Sequence, residues 1–170
     1  MTQIFLTTPR MIFRKFEIDD LDRLAEISAE EEGSRYVGDG EPLSREITEL
    51  WIARSRANVE EFGYGTGALV EKTTNELIGW AGFSRPENQE EEIIYGFTQS
   101  RWGSGLGGEL LSGLIAYARD ELGHKILRAT VDPRNTASIR MLLKQNFKLV
   151  DDCYGGDPES CLYTLTFQAR

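Results

Sequence analysis

The chain has 170 residues, a formal net charge of −9 at pH 7, 40% hydrophobic residues and 28% charged residues. These values are typical of one globular domain, which we place at residues 1–170, and exclude a collagen-like or repetitive chain. The acidic balance disfavours nucleic-acid binding, which normally uses a basic face. No apolar run reaches the roughly 20 residues that span a bilayer, so we expect no membrane insertion.

The N-terminus and the cysteines bear on location and metal binding. Residues 1–14 lack the apolar core of a signal peptide, so we expect a cytoplasmic protein. Cys153 and Cys161 are the two cysteines and His124 is the one histidine. This set is a poor zinc site, so we expect free thiols and no metal. His124 follows Gly123 and fits a capping role at a helix end.

Apolar spacing in the first half predicts two helices between strands. A strand is expected at 11–16, with room for a shorter one before it, and a helix at 21–32 that begins at Asp19 and Asp20. A loop at 33–42 leads to a second helix, capped by Ser44 and ending by Phe62. Its predicted inner face consists of Ile47, Leu50, Trp51 and Arg54.

The middle and the end of the chain predict six further strands and two helices. We expect a hairpin of strands 66–71 and 77–84, a loop at 85–91, and a strand at 92–98 before the glycines at 103–108. After the glycines we expect a helix, a strand at 125–131, a turn at 132–135 and a helix at 138–146. Strands at 147–151 and 161–167 follow. The last helix should turn Ile139, Leu142 and Leu143 inward. The strands on either side of the glycines should be parallel, with a right-handed crossover.

The glycine-rich segment that follows Trp102 is the most informative part of the chain. Gly103, Gly105, Gly107 and Gly108 lie between a predicted strand and a predicted helix. Glycines let the backbone turn tightly and approach a ligand closely. The first turn of the helix offers unpaired N–H groups and a positive dipole end. Together these features predict a phosphate or pyrophosphate site.

Several ligands fit such a loop. Residues 103, 105 and 108 also spell Gly-x-Gly-x-x-Gly, and Asp132 follows where a dinucleotide fold places its ribose acid, which keeps a nucleotide-dependent oxidoreductase open. The mainly antiparallel first half and the short segment after Asp132 count against that hypothesis. A nucleoside-triphosphate P-loop is excluded because no Gly-Lys-Ser/Thr follows the glycines.

Motifs in order along nearly the whole chain resemble the GNAT acyltransferase superfamily, and more narrowly the RimJ/RimL type of ribosomal-protein N-terminal acetyltransferase. Residues 6–14 resemble "L-x-T-x-R-L-x-L-R", and residues 102–109 resemble "W-G-x-G-x-A-x-E". Residues 135–138 resemble "N-x-x-S", and residues 144–147 stand where "K-x-G-F" is usual. The order and spacing of the set make the resemblance specific.

The resemblance implies an α+β, three-layer fold: a twisted, mainly antiparallel sheet of about seven strands, with helices on both faces and a central parallel β-α-β unit. It implies acetyl-CoA as cosubstrate, bound where strands 92–98 and 125–131 splay apart. The residues implied to touch it are Phe97, Thr98, Trp102, Gly103, Ser104, Gly105, Leu106, Gly107, Gly108, Asn135 and Ser138.

The resemblance also implies direct attack of a primary amine on the thioester, in a ternary complex. Glu92 is the candidate base, with a solvated surface acid as the alternative. Ser138 or Tyr154 is the candidate proton donor, since Leu142 stands where many of these enzymes carry a tyrosine. Gly107 replaces the usual alanine, and Asn146 replaces a helix-ending glycine that asparagine can mimic.

The sequence leaves the acceptor and the assembly open. A protein N-terminus, a polyamine or another small amine are all compatible with the motifs, and the chain is either a monomer or a homodimer. A coenzyme-A-binding protein of the same fold without turnover is a further alternative, because the usual tyrosine is absent.

Overall fold

The computed structural model describes residues 1–86 and 90–168, so residues 87–89 of the predicted loop lie outside the described residues. Its strands and helices run in the order β1 (Ile4–Thr7), β2 (Met11–Arg14), α1 (Leu21–Ser28), α2 (Glu31–Ser34), α3 (Arg45–Phe62), β3 (Thr66–Glu71), β4 (Leu77–Ser84), β5 (Glu92–Phe97), α4 (Leu106–Asp120), β6 (Ile126–Val131), α5 (Thr136–Lys144), β7 (Lys148–Asp151) and β8 (Cys161–Thr166).

The eight described strands form two sheets rather than one sheet of about seven. Strands β1 to β5 form an antiparallel sheet in chain order, and the second sheet has the order β6-β8-β7. This antiparallel order is incompatible with a doubly wound parallel sheet, so the dinucleotide-fold hypothesis is wrong.

Strands β5 and β6 run parallel but form no ladder among the described residues. Arg128 pairs with Glu90, and two residues later on both strands the Thr130 hydroxyl donates to Glu92 Oε2 at 2.6 Å. Residue numbers therefore rise in the same direction along the two strands. Strand β6 ends one residue after Thr130, at Val131, whereas β5 continues five residues beyond Glu92, to Phe97, and contacts the start of α5 there through Tyr95 and Ser138. We call the region between this part of β5 and the start of α5 the cleft.

Helices cover both faces of the larger sheet, as expected. On one face Leu24, Ile27 and Ile52, from α1 and α3, pack with Trp80. On the other face Leu110, Leu114 and Leu142, from α4 and α5, form the larger core with Leu69, Ile78 and Phe83. Alternate residues of β3 and β4 therefore face opposite cores, and both strands are almost wholly buried.

Three details of the helices differ from the predictions. The helix expected at 21–32 is broken at Glu30, whose backbone is extended. Asp20 is the N-cap of α1, as expected, but its side chain makes no capping bond to the helix and binds Arg14 at 2.8 and 2.9 Å. The predicted Trp51 packs against Trp80, whereas the buried residues of α3 are Thr48, Ile52, Ser55 and Val59, and the predicted Ile47, Leu50 and Arg54 are exposed.

The ends of two helices agree with the expected capping. Ser44 accepts a hydrogen bond from the Ile47 N–H, and Gly63 ends α3 in a left-handed conformation. Asn146, with φ of 66°, adopts the left-handed backbone that the replaced glycine would provide. Helix α5 begins two residues earlier than predicted, and its Leu143 is 52% exposed rather than inward.

Candidate active site

The glycine loop (residues 103–108) leads into α4. Gly103 and Gly105 have φ of 70° and 80°, a left-handed conformation that glycine adopts without strain. Within the described residues, no backbone N–H from 103 to 108 has a hydrogen-bond acceptor, and the first α4 bond is from Glu109 N–H to Gly105 O at 3.2 Å. The loop therefore presents a row of open donors at the positive end of a helix, as a diphosphate requires.

The remaining side chains of the loop hold it to the end of β5. The Trp102 indole donates to the Phe97 carbonyl at 3.0 Å, and the Ser104 hydroxyl donates to the Arg101 carbonyl at 2.6 Å. Arg101 is in turn paired with Glu71 at 2.8 Å. Leu106 is buried in the larger core and so serves α4 packing through its side chain.

The outer edge of β5 faces the cleft. Thr98 N–H bonds to Ile78 O at 2.8 Å, so in the antiparallel ladder Gly96 and Thr98 turn their backbone groups toward β4. Tyr95 and Phe97 consequently turn theirs away from β4, toward the cleft. Backbone groups of alternate residues are thus directed at the region between β5 and the start of α5.

Thr98 itself has no open donor. Its N–H bonds to Ile78, and its hydroxyl donates to Glu30 Oε1 at 2.5 Å. Its carbonyl accepts from the Arg101 N–H at 3.0 Å. Of the two strand residues expected to bond a cofactor, Thr98 is committed to fold contacts, whereas Phe97 keeps an outward N–H and has a carbonyl that already accepts from the Trp102 indole.

The start of α5 forms the opposite wall of the cleft. Asn135 caps the helix, with its side-chain oxygen accepting from the Ser138 N–H at 3.2 Å. The Ser138 hydroxyl lies 2.8 Å from the Tyr95 hydroxyl. Burial raises the pKa of Tyr95, and the hydrogen bond with Ser138 opposes this effect only in part. Tyr95 therefore stays protonated at neutral pH.

Glu92 lies where β5 and β6 meet. It is not simply a solvated acid of the run 90–92, because its carboxylate is half-buried and accepts from the Thr130 hydroxyl at 2.6 Å. Burial raises the pKa of Glu92, although bonds from the Thr130 hydroxyl and N–H act in the opposite direction. A carboxylate with a raised pKa is a better proton acceptor at neutral pH.

A cavity of about 290 Å³ lies beside Glu92 at the starts of β5 and β6, lined also by Tyr64 and Phe83. The His124 side chain lines it too and lies 3.0 Å from Glu91. The α4 end is instead capped by the His124 backbone N–H, which bonds to Ala118 O at 2.9 Å. His124 thus caps the helix through its backbone, while its side chain contacts Glu91.

The other candidates are distributed through the fold. Trp80 and Phe83 are core residues that are 8% and 1% exposed. Leu142 is also a core residue, 1% exposed. Cys153 and Cys161 are both free thiols. No helix in residues 1–86 or 90–168 is long and apolar enough to cross a membrane.

A family model described as the acetyltransferase (GNAT) domain matches residues 10–148. The chain belongs to the GNAT acetyltransferase family. As a member of it, the protein is an N-acetyltransferase.

Similar proteins support this assignment. This GNAT enzyme is 29% identical over 153 residues to the uncharacterised N-acetyltransferase p20 of Bacillus licheniformis, with 84% of this chain and 82% of p20 covered. It shares its fold with an acetyltransferase of Agrobacterium tumefaciens str. C58, at 23% identity and a TM-score of 0.83, over 98% of this chain and 95% of the other. It also shares its fold with RimL, the ribosomal L7/L12 alpha-N-protein acetyltransferase, in complex with coenzyme A, at 16% identity and a TM-score of 0.78, over 96% and 98% of the two chains.

Proposed function

We propose that this GNAT enzyme transfers the acetyl group of acetyl-CoA to a primary amine by direct attack in a ternary complex. One observation carries the proposal: the N–H groups of residues 103–108 have no acceptor among the described residues and begin a helix shortly after β5, the strand that lines the cleft. The cofactor-bound structural neighbours support it. One is RimL with coenzyme A, and another is a Salmonella typhimurium acetyltransferase, yncA, with acetyl-CoA.

The residues present fit acetyl-CoA. The glycine loop would hold the diphosphate, since a Cβ at Gly103 or Gly108 would meet no atom within 4 Å and the space above them is open. The outward backbone groups of Tyr95 and the outward N–H of Phe97 would bond the amides of the pantetheine arm. The Asn135 amide group and the Ser138 side chain would contact the cofactor from the α5 wall.

Glu92 would act as the base. As the C–N bond forms, the amine must lose one proton, and the half-buried Glu92 carboxylate would accept it directly or through one water molecule. The proton then passes to solvent when the product leaves. Holding amine and thioester in one cleft supplies the proximity on which this reaction depends.

The departing thiolate would be protonated by Ser138, backed by Tyr95. When the C–S bond breaks, coenzyme A needs one proton, and a thiol with a pKa of about 8.5 needs only a weak acid. The Ser138 hydroxyl would give its proton to sulfur and take one from Tyr95, which is then reprotonated from water. The proton count balances, with one lost from nitrogen and one gained by sulfur.

The acceptor that we favour is a protein N-terminus, as in the RimJ/RimL type. An α-amino group has a pKa near 8, so about a tenth of it is neutral at pH 7, whereas a lysine side chain is almost wholly charged. Two structural neighbours are named as acetyltransferases of ribosomal proteins. The net charge of −9 favours a cationic acceptor of any kind, so a small amine is the second candidate.

An acceptor screen tests the proposal. Acetyl-CoA is incubated with peptides that have free N-termini, with the same peptides blocked by formylation, and with polyamines and amino acids. Release of free thiol together with an acetylated product by mass spectrometry is expected, and it should vanish for the blocked peptides if an N-terminus is the acceptor. Tight coenzyme A binding with no thiol release across the panel would favour a binding protein without turnover.

A further inference from the structure

A side chain from the other end of the chain contacts the glycine loop. Arg10 follows the first strand, and its Nη1 donates to the Ser104 carbonyl at 2.8 Å. Its Nε donates to Glu109 Oε2 at 2.7 Å, and its backbone N–H donates to Glu109 Oε1 at 2.9 Å. One arginine therefore joins the β1–β2 turn to both the loop and the first turn of α4.

Neighbouring bonds fix Arg10 and Glu109 in place. The Thr8 hydroxyl donates to Glu109 Oε1 at 2.6 Å, and the Lys72 N–H donates to the Arg10 carbonyl at 2.9 Å. Burial works to raise the pKa of Glu109, but the bonds from Thr8 and Arg10 outweigh it and the pKa lies below its ordinary value. Glu109 is therefore ionised at neutral pH and holds the guanidinium as a charged pair.

The bond from Arg10 to the Ser104 carbonyl sets the direction of the Gly105 N–H. The Ser104 carbonyl and the Gly105 N–H belong to one planar peptide unit and point in opposite directions. Holding the carbonyl toward Arg10 therefore turns the Gly105 N–H to the opposite side of the loop. Gly103 and Gly105 flank Ser104 and give this peptide unit wide rotational freedom, so an external contact is needed to orient it.

We propose that Arg10 is a positioning residue for the diphosphate: it orients the Ser104–Gly105 peptide so that the loop donors converge before the cofactor arrives. Glu109 neutralises most of its charge, so Arg10 acts through geometry rather than through attraction of the anion. This inference rests on the proposed binding of the diphosphate by residues 103–108.

The test measures ligand binding rather than turnover. Coenzyme A and pantetheine, which lacks the diphosphate, are titrated by calorimetry and NMR into wild-type protein, Arg10→Ala and Arg10→Lys. The matched control is Arg119→Ala, which removes an arginine–aspartate pair of 2.7 Å at the far end of the same helix. We expect Arg10→Ala to raise the Kd of coenzyme A about tenfold, equivalent to about 1.4 kcal/mol, and to leave that of pantetheine unchanged. Lysine cannot make both bonds, so Arg10→Lys should weaken coenzyme A nearly as much.

The outcomes separate the two proposals. If wild-type protein fails to bind coenzyme A, the proposed cofactor site is wrong. If wild type binds coenzyme A and both Arg10 variants match it, the positioning role is wrong while the site stands. Equal weakening of coenzyme A and pantetheine would indicate general loss of structure and would also overturn the inference. A penalty that shrinks at high salt would show that Arg10 attracts the diphosphate by charge instead.

Discussion

The Tyr95 hydroxyl lies 2.8 Å from the Ser138 hydroxyl and joins β5 to α5 across the cleft. Ser138 and Leu142 are four residues apart on α5, so they lie on the same face of the helix. The strand thus brings a phenol to within one helical turn of the position where Leu142 has replaced the expected tyrosine. The pair supplies a proton source that the helix alone lacks.

A double-mutant cycle tests this pair. Tyr95→Phe and Ser138→Ala should each lower kcat about tenfold, a modest effect because a thiolate is a good leaving group. The double variant should be no slower than the slower single variant, since both changes interrupt one proton path. Rates are measured by thiol release with the best amine from the acceptor screen, and Tyr117→Phe is the control. Additive losses would mean that the two hydroxyls act separately.

Glu92→Gln should lower kcat about 100-fold while leaving coenzyme A binding unchanged, because glutamine keeps the contact with Thr130 but cannot accept a proton. Kinetics and calorimetry measure the two effects. A variant with normal kcat would show that Glu92 is not the base and has a purely structural role.

The same substitution should alter stability in a pH-dependent way. The raised pKa of Glu92 means that the folded protein holds this proton more tightly than the unfolded chain. Stability is therefore lost as the pH rises from the unfolded pKa through the folded pKa. Glu92→Gln should raise Tm at pH 8 and lose that advantage near pH 4. Calorimetric scans check this result, and an equal Tm difference at both pH values would contradict it.

The effect of Gly107→Ala on the free energy of unfolding should change sign when its neighbour Met141 is replaced by alanine. A Cβ at Gly107 would lie 2.6 Å from Met141 Sδ, so in wild type the substitution should cost about 1 kcal/mol of unfolding free energy. In a Met141→Ala background the clash is gone, and alanine should stabilise the helix by about 0.5–1 kcal/mol. Urea unfolding measures both differences. The same sign in both backgrounds would exclude Met141 as the cause.

Gly108→Ala should raise the stability of the protein and weaken its binding of coenzyme A. A Cβ there would meet no atom within 4 Å, so the helix should gain about 0.5–1 kcal/mol. The added methyl group would occupy the space proposed for the diphosphate, so coenzyme A should bind several-fold more weakly. A stabilised variant with unchanged affinity would place the diphosphate elsewhere.

Local patterns were sufficient to predict much of the fold. Both strands of the hairpin, at 66–71 and 77–84, and the ends of α3 were predicted to the residue, because turn residues, Ser44 and Gly63 act over a few positions. The inner face of α3 was predicted correctly only for Trp51, because Thr48 and Ser55 are buried with hydrogen bonds to Ser44 and Thr66, which hydrophobicity alone does not reveal.

The candidate site also contains residues that local sequence patterns predict and residues that they do not. The glycine loop was predictable because its glycines are adjacent in sequence. Arg10 and Tyr95 were not identified as site residues, since their contacts span 94 and 43 positions and arise only when the sheet brings β1, β5 and α5 together. Arg10 stands in the motif at residues 6–14, but that motif gives no indication of its contact with Ser104.

The missing ladder between β5 and β6 has a consequence for amide exchange. The N–H groups of Gly96 and Thr98 are directed into the sheet, whereas those of Tyr95 and Phe97 are directed at the cleft. A ligand can therefore enter without breaking any main-chain pairing. Deuterium uptake along this one strand should alternate between slow and fast positions, and cofactor should slow only the fast ones.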